Sequence, residues 1–425
     1  MTSSLCDYNR WTWIAWGIVF LIASPSIVYL SFIGANWWMS LALLLSLLLA
    51  TFPPFSLLYK SPVDIPLFLL ALLAALSLLI TADPDLTLGA VMRLWAGVAS
   101  FFLLFSFARG RWLVTWFGLG FFMLGILLAL ASPFLIQWPA NKIPFIPTAL
   151  YNIFPSITAD VVHPNTAATM LILFMPVGTA LMLGLYEHRS PKIWVLLAAL
   201  GTVIMGIVFL LTQSRAGYIT AAVTILIVLW LMHWRKLFGV ALLFTLAGAG
   251  MLYLFSTAAE VSDQIATTVN STTFEFRLQV WKQSVWMIHD FPFTGVGLDA
   301  FNAVAERLYP FPHFEDPGAH NLYLHIAAEM GLIALIAYLS IVGVSLWMGF
   351  KQIRSATAAN DYLLNALTVG SLCGWIGLHL HGFLDNTLWA TRIAFLPWVL
   401  LALILTLANY TEEKINHDYH NDFPT

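Results

Sequence analysis

Two cysteines in 425 residues, Cys6 and Cys373, exclude a disulfide framework and a cysteine-based zinc site. Charge is equally scarce. Asp, Glu, Lys and Arg make up 9 % of the chain, against roughly 25 % in a soluble domain. No H-E-x-x-H spacing occurs, and His379 and His381, two apart, would point to nearly opposite sides of a helix. A P-loop is lacking, and Gly295-x-Gly297 is without the rest of a dinucleotide fingerprint. No metal, nucleotide or other cofactor is therefore expected. Repeats and low-complexity segments are lacking too.

What is present is apolar. Hydrophobic residues form 60 % of the chain and its mean hydropathy is +0.85. Runs near the roughly 20 residues that cross a bilayer recur along its length. The pattern predicts an all-α, polytopic transmembrane helical bundle forming a single integral membrane domain over 1–425. About twelve spans can be drawn: Trp11–Leu30, Trp37–Phe52, Ile65–Ile80, Leu88–Phe107, Trp112–Leu130, Asn165–Leu185, Ile193–Leu211, Ala216–Met232, Leu237–Phe255, Leu322–Phe350, Leu363–Leu384 and Ile393–Leu407. The first reads as a retained span, since no A-x-A-like site follows it. The tenth exceeds the bilayer's need, which predicts tilt.

Lysine and arginine set the orientation. Arg10, Lys60, Arg109, Arg111, Arg189, Lys192, Arg235, Lys236, Lys351, Arg354 and Lys414 share one side, almost all in short loops. By the positive-inside rule that side and both termini are cytoplasmic. The far side, which in a bacterial inner-membrane protein is the periplasm, carries the connections Leu135–Pro164 (with Lys142) and Ser256–Ala319. Within the long periplasmic loop 256–320, Phe274–Phe291 reads as an amphipathic helix with a Leu278, Trp281, Val285, Ile288 stripe, lying along the membrane or capping the bundle. Asp299–Leu308 could form another short helix. The tail 411–425 is polar, cytoplasmic and expected to fray.

The candidate chemistry gathers on the far side. Pro317 and Gly318 break the chain before His320, so a helix should begin near His320 or Asn321. At a helix N-terminus an imidazole tends to stay neutral and able to accept a proton, although a plain polar cap fits the position as well. Arg215 sits in a very short turn between two spans, and Arg277 at the edge of the amphipathic stripe. Each either snorkels to lipid phosphates or binds a phosphorylated ligand through its planar fork of donors. Arg93 lies near the same surface, where a lipid or ion-pair partner also explains it. His325 and Glu329, four apart, can meet on one helix face as a structural pair. Asp385 either orients a base or is a helix-end charge. Asp83 and Asp85 read as turn chemistry.

His320-Asn-Leu-Tyr-Leu followed by Glu329-x-Gly331 resembles the signature of the O-antigen ligase/polymerase superfamily. His163-Pro-Asn165, Ser214-Arg-Ala-Gly217, and Phe276-Arg-Leu with Trp281 before Gly295-Val-Gly-Leu-Asp-Ala-Phe301 agree in order, over about 160–385. The resemblance implies a metal-independent membrane glycosyltransferase of GT-C-like architecture. It would transfer a glycan from undecaprenyl diphosphate, with inversion, to a hydroxyl of a lipid A–core acceptor on the periplasmic face. It implies Arg215 and Arg277 on the donor diphosphate, His320 as base, and Asp385 in a supporting role; Arg93, Asn321 and Asp385 are taken as further substrate-binding candidates.

Three alternatives stay open. An O-antigen polymerase would use the same donor with a lipid-linked glycan as acceptor. A protein O-oligosaccharyltransferase usually carries a larger C-terminal periplasmic portion. A transporter would be expected to show repeats and midplane charges, whereas these charges cluster at one interface.

Overall fold

A computed structural model describes residues 10–51, 57–136, 138, 154, 162–248, 250, 273–309, 318–358, 361–386 and 388–422. Most of Leu135–Pro164, with Lys142, and the stretches 251–272 and 310–317 lie outside them. The described chain is all-α. Its helices are α1 Arg10–Phe32, α2 Trp37–Thr51, α3 Asp64–Ser77, α4 Pro84–Phe107, α5 Gly110–Ala131, α6 Pro164–Glu187, α7 Lys192–Leu211, α8 Arg215–Leu231, α9 235–248, α10 Thr273–Asp290, α11 Phe301–Leu308, α12 Leu322–Ala358, α13 Tyr362–His381 and α14 Leu396–Asp422.

Seven of these helices are long and apolar enough to cross a membrane: α1, α4, α5, α6, α7, α12 and α13. The apolar α2, α3, α8 and the start of α14 are shorter, at 10–17 residues. With α9 they fall on the twelve predicted runs. On α7, Leu196, Leu200, Val203, Ile207 and Leu210 are each more than half exposed, an apolar stripe suited to lipid rather than water. This is a multi-pass membrane protein.

Local chemistry places the helix ends. Asp83 caps α4 by accepting from Leu86 N–H, with Pro84 in the first turn. The His163 ring caps α6 in front of Pro164, and Ser214 caps α8. The end of α14 departs from expectation. The helix runs on to Asp422, because Tyr410–Asn416 contains good helix formers and no Pro or Gly.

Two helices form the spine. α6 and α13 are the most deeply buried spans, and α13 makes its widest contact with α6. Gly370 and Gly374 face this contact. A Cβ on Gly370 would lie 2.5 Å from Val177 Cα, and one on Gly374 would lie 2.4 Å from the Leu173 carbonyl oxygen. Small residues at four-residue spacing let two backbones approach this closely where lipid gives no hydrophobic drive. The starts of α6 and α8 and the end of α13 then share one end of the bundle.

The long α12 is two helices. Its backbone breaks at Gly331 (φ 82, ψ 170), so its length reflects a break rather than the expected tilt alone. Ala328 and Glu329 carbonyls, freed by the break, accept from Val296 and Gly297 N–H at 3.0 and 2.9 Å, while Leu332 N–H donates to the Pro292 carbonyl at 2.8 Å. A Cβ on Gly331 would meet Phe293 O at 2.3 Å, and one on Gly295 would meet Glu329 O at the same distance. The two glycine motifs are the two halves of one joint.

α10 and α11 pack over this joint. The buried face of α10 is Val280, Gln283, Ser284 and Met287, which meets Phe301, Val304 and Ala328. The predicted stripe is a different face: Leu278 and Val285 point outward, 45 % and 52 % exposed, and Trp281 and Ile288 are half-buried. The helix is apolar on two sides, and periodicity alone selected the outer one.

Gly374→Ala should lower stability by about 1–3 kcal/mol, because the added methyl meets backbone that cannot step aside. Gly206→Ala, where a Cβ meets nothing within 4 Å, should be neutral or mildly stabilising. Thermal unfolding of both variants in one detergent checks this; equal midpoints would refute the close-approach account.

Candidate active site

At the shared end of α6, α8 and α13 lies a cavity of about 270 Å³. Four segments line it. The start of α6 supplies His163, Asn165 and Thr166; the turn into α11 supplies Asp299, Phe301 and Asn302. The entry to α12 supplies Gly318, His320, His325 and Glu329, and the segment after α13 supplies Asp385, Asn386, Trp389 and Thr391.

His320 stands just before α12 in left-handed backbone (φ 46), its side chain 14 % exposed. Helix α12 begins at Leu322, and Asn321 is its cap. The Asn321 Oδ1 accepts from Tyr323 and Leu324 N–H at 3.0 Å each, and its Nδ2 donates to the Phe383 carbonyl at 3.1 Å. These bonds pin the His320 loop to the end of α13, and Asn321 does not line the cavity. His320 is thus left free of the capping task that its position suggested.

Asp385 faces His320. Its Oδ1 lies 3.9 Å from His320 Nδ1, beyond hydrogen-bond length but well within electrostatic contact. The carboxylate is held by Asn165 Nδ2 donating to Oδ2 at 2.8 Å, and by Asn386 N–H donating to Oδ1 at 2.8 Å. One turn along the same helices, Thr169 Oγ1 and His381 Nδ1 pair at 2.9 Å. A carboxylate on the Nδ1 side favours the tautomer with its proton there and leaves Nε2 to accept.

His325 has no nitrogen to spare. Its Nδ1 accepts from Ala319 N–H at 3.2 Å, so its proton is on Nε2, which faces Glu329 Oε1 at 3.2 Å. The other Glu329 oxygen accepts from Trp389 Nε1 at 3.1 Å. The predicted His325–Glu329 pair forms, and it fastens the residue beside His320 to the segment after Asp385. His379 points away from His381, bonding the Trp375 carbonyl and the Tyr338 hydroxyl.

The arginines divide. Arg93 Nη2 donates to Asp299 Oδ2 at 3.1 Å and its Nε to the Ala390 carbonyl, so it braces the cavity wall from behind and does not line it. Arg277 is half-buried, next to Phe276, whose ring centroid is 5.9 Å from that of His320, and it lies within electrostatic reach of the His381 ring. Arg215 is exposed at the first position of α8, with no hydrogen bond or ion pair to it among the described residues. Neither Arg215 nor Arg277 lines the cavity. Among the described residues no three His, Cys, Asp or Glu side chains come together as a metal-ligand set requires.

Asp299 is the wall's unusual acid. Burial and the nearby Glu329 push its carboxyl up to about 6, against the pull of Arg93. Asp299, Asn302, His163, Asn165 and Trp389 were not singled out as site residues from sequence. Two of the quoted stretches, His163-Pro-Asn165 and Gly295–Phe301, did contain three of the five, His163, Asn165 and Asp299.

Residues 200–339 match the family model described as O-antigen ligase. Over that segment the chain is similar to the O-antigen ligase family. The match runs from α7 into α12 and holds Arg215, Arg277, Asp299, His320 and Glu329, while His163, Asn165, Asp385 and Trp389 complete the cavity from outside it. No curated protein matches the chain. The O-antigen ligase match supports a glycosyltransferase of the ligase/polymerase type, whose substrates are lipid-linked glycans.

Asp299 also sets a pH dependence. Between the unfolded carboxyl value of about 3.9 and about 6, the folded protein holds a proton that the unfolded chain has released. This contribution to stability is therefore lost as pH rises through that window. Asp299→Asn should gain on the wild type in thermal unfolding between pH 4 and pH 7; a constant difference across that range would refute the burial account.

Proposed function

We propose that the protein is an O-antigen ligase, transferring a glycan from undecaprenyl diphosphate to a sugar hydroxyl of lipid A–core, without metal, at the periplasmic face of a bacterial inner membrane. The observation that carries the reading is the imidazole of His320, backed by Asp385 in the lining of a polar cavity, with His320, Arg215 and Arg277 all inside the family-matched segment. Both termini are cytoplasmic in this reading, on the strength of the lysine and arginine distribution.

The acceptor hydroxyl attacks the anomeric carbon and gives its proton to His320 Nε2. The bond from that carbon to the phosphate oxygen breaks, and its electron pair leaves with the diphosphate. Asp385 stabilises the imidazolium as it forms, and Asn165 holds Asp385 in place. Arg215 and Arg277 meet the negative charge growing on the leaving group, where fixed cations are most effective. A single displacement inverts the anomeric centre. His325 is a poor rival base, since its one lone pair is already used by Ala319 N–H. Arg93 and Asn321 act through the wall and the His320 loop rather than on substrate.

Purified protein, supplied with undecaprenyl-diphosphate-linked glycan and lipid A–core in the presence of a chelator, should shift the core to higher mass. His320→Ala should cut the rate by about 10²–10⁴ while the protein stays folded. Arg215→Ala and Arg277→Ala should weaken use of the diphosphate donor. Unchanged transfer by His320→Ala would sink the base, and loss of transfer on chelation would sink metal independence. If the lipid-linked glycan lengthens while the core stays bare, the enzyme is a polymerase.

A further inference from the structure

The cavity has the wrong chemistry for a diphosphate. Three carboxylates line it, Asp299, Glu329 and Asp385, and no lysine or arginine does among the described residues. Arg93 offsets the charge of Asp299 alone, from behind. Asn302 adds a buried Oδ1 that accepts no hydrogen bond. A buried acceptor without a donor is costly, so a lining this rich in acceptors favours a ligand that brings donors. Phosphate brings only further acceptors and negative charge. A sugar ring brings hydroxyl donors on every side, and Trp389 and Phe301 supply apolar lining for its C–H surface.

We propose that this cavity is the subsite for the acceptor's sugar, with Asp299 and Asn302 taking hydrogen bonds from hydroxyls other than the attacking one. The donor diphosphate stays outside, on the side of Arg215 and Arg277. The inference deepens the proposed function and rests on it for the identity of the acceptor. It also assigns specificity: the number and direction of hydroxyls presented to Asp299 and Asn302 select the sugar that reaches His320.

The test is binding without turnover. Wild type, Asn302→Ala and Asn302→Asp are titrated separately with deacylated lipid A–core oligosaccharide and with inorganic pyrophosphate, and thermal stabilisation is followed. Asn302 makes no side-chain hydrogen bond among the described residues, so both variants should fold. The oligosaccharide should stabilise the wild type and need about tenfold higher concentration with Asn302→Ala, a change of about 1.4 kcal/mol. Asn302→Asp, which keeps an acceptor, should stay near wild type, and the pyrophosphate response should be equal in all three. An oligosaccharide that stabilises no form, or that acts equally on wild type and Asn302→Ala, overturns the subsite. A pyrophosphate response lost in Asn302→Ala overturns it also. Intact transfer to lipid A–core with unchanged acceptor KM in Asn302→Ala would remove the subsite and leave the ligase reading standing; a failure of transfer in the wild type would strike the ligase reading itself.

Discussion

The close approach of α6 and α13 is the contact on which the site depends. Gly370 and Gly374 bring their backbone against Val177 and Leu173, and that distance determines everything at the helix ends. Two hydrogen bonds follow from it: Thr169 to His381, and Asn165 to Asp385. Asp385 is 4 % exposed, and a carboxyl group so buried needs fixed donors to satisfy its oxygens and hold its aim. Asn165 can be such a donor only if α6 arrives at the right height. Bulkier residues at the glycines would separate the helices before either polar pair could form.

The second constraint is the joint at Gly331. A continuous helix would satisfy its own carbonyls and leave nothing for the 292–297 turn to hold. Breaking it frees the Ala328 and Glu329 carbonyls, and the turn fills them. The geometry then fixes Asp299, two residues past the turn, and Thr87 Oγ1 secures the turn further by donating to the Leu298 carbonyl at 2.7 Å. Glu329 has its backbone in the joint and its side chain in the cavity. Its carboxylate meets Trp389 and His325, so the position of the His320 loop is tied to the joint through two side chains.

The fold was largely legible because lipid imposes a coarse rule. Apolar runs of bilayer length declare helices without any knowledge of their partners, and the described helices fall on those runs. Cap positions were legible where proline or glycine marks them, within two residues at α12. The face of α10 was not, because a helix between protein and lipid is apolar on both sides and the moment cannot tell them apart. The cavity was half legible. His320, Asp385 and the His325–Glu329 pair stand out as polar residues beside apolar runs. Arg93 looked like a substrate contact because its partner Asp299 lies 206 residues away. Asn302 carries no local signal at all. It is an ordinary helix residue until the fold turns it toward His320's cavity.

The two-sided character of α10 has a mechanical consequence. Val280 and Met287 are sunk in the cluster with Phe301 and Val304, while Leu278, Val285 and Trp286 stand exposed on the other side. Lys282 Nζ lies 5.1 Å from the Trp286 ring centroid, a pairing of cation and indole suited to the headgroup region. A helix held by the core on one side, and offering an apolar side suited to the membrane interface on the other, would have little freedom to rise, sink or roll. Arg277 rides on that helix beside Phe276, against His320. In the proposed function, with the outer face of α10 in the headgroup region, Arg277 would be held at a fixed height, as contact with a diphosphate on a lipid chain requires.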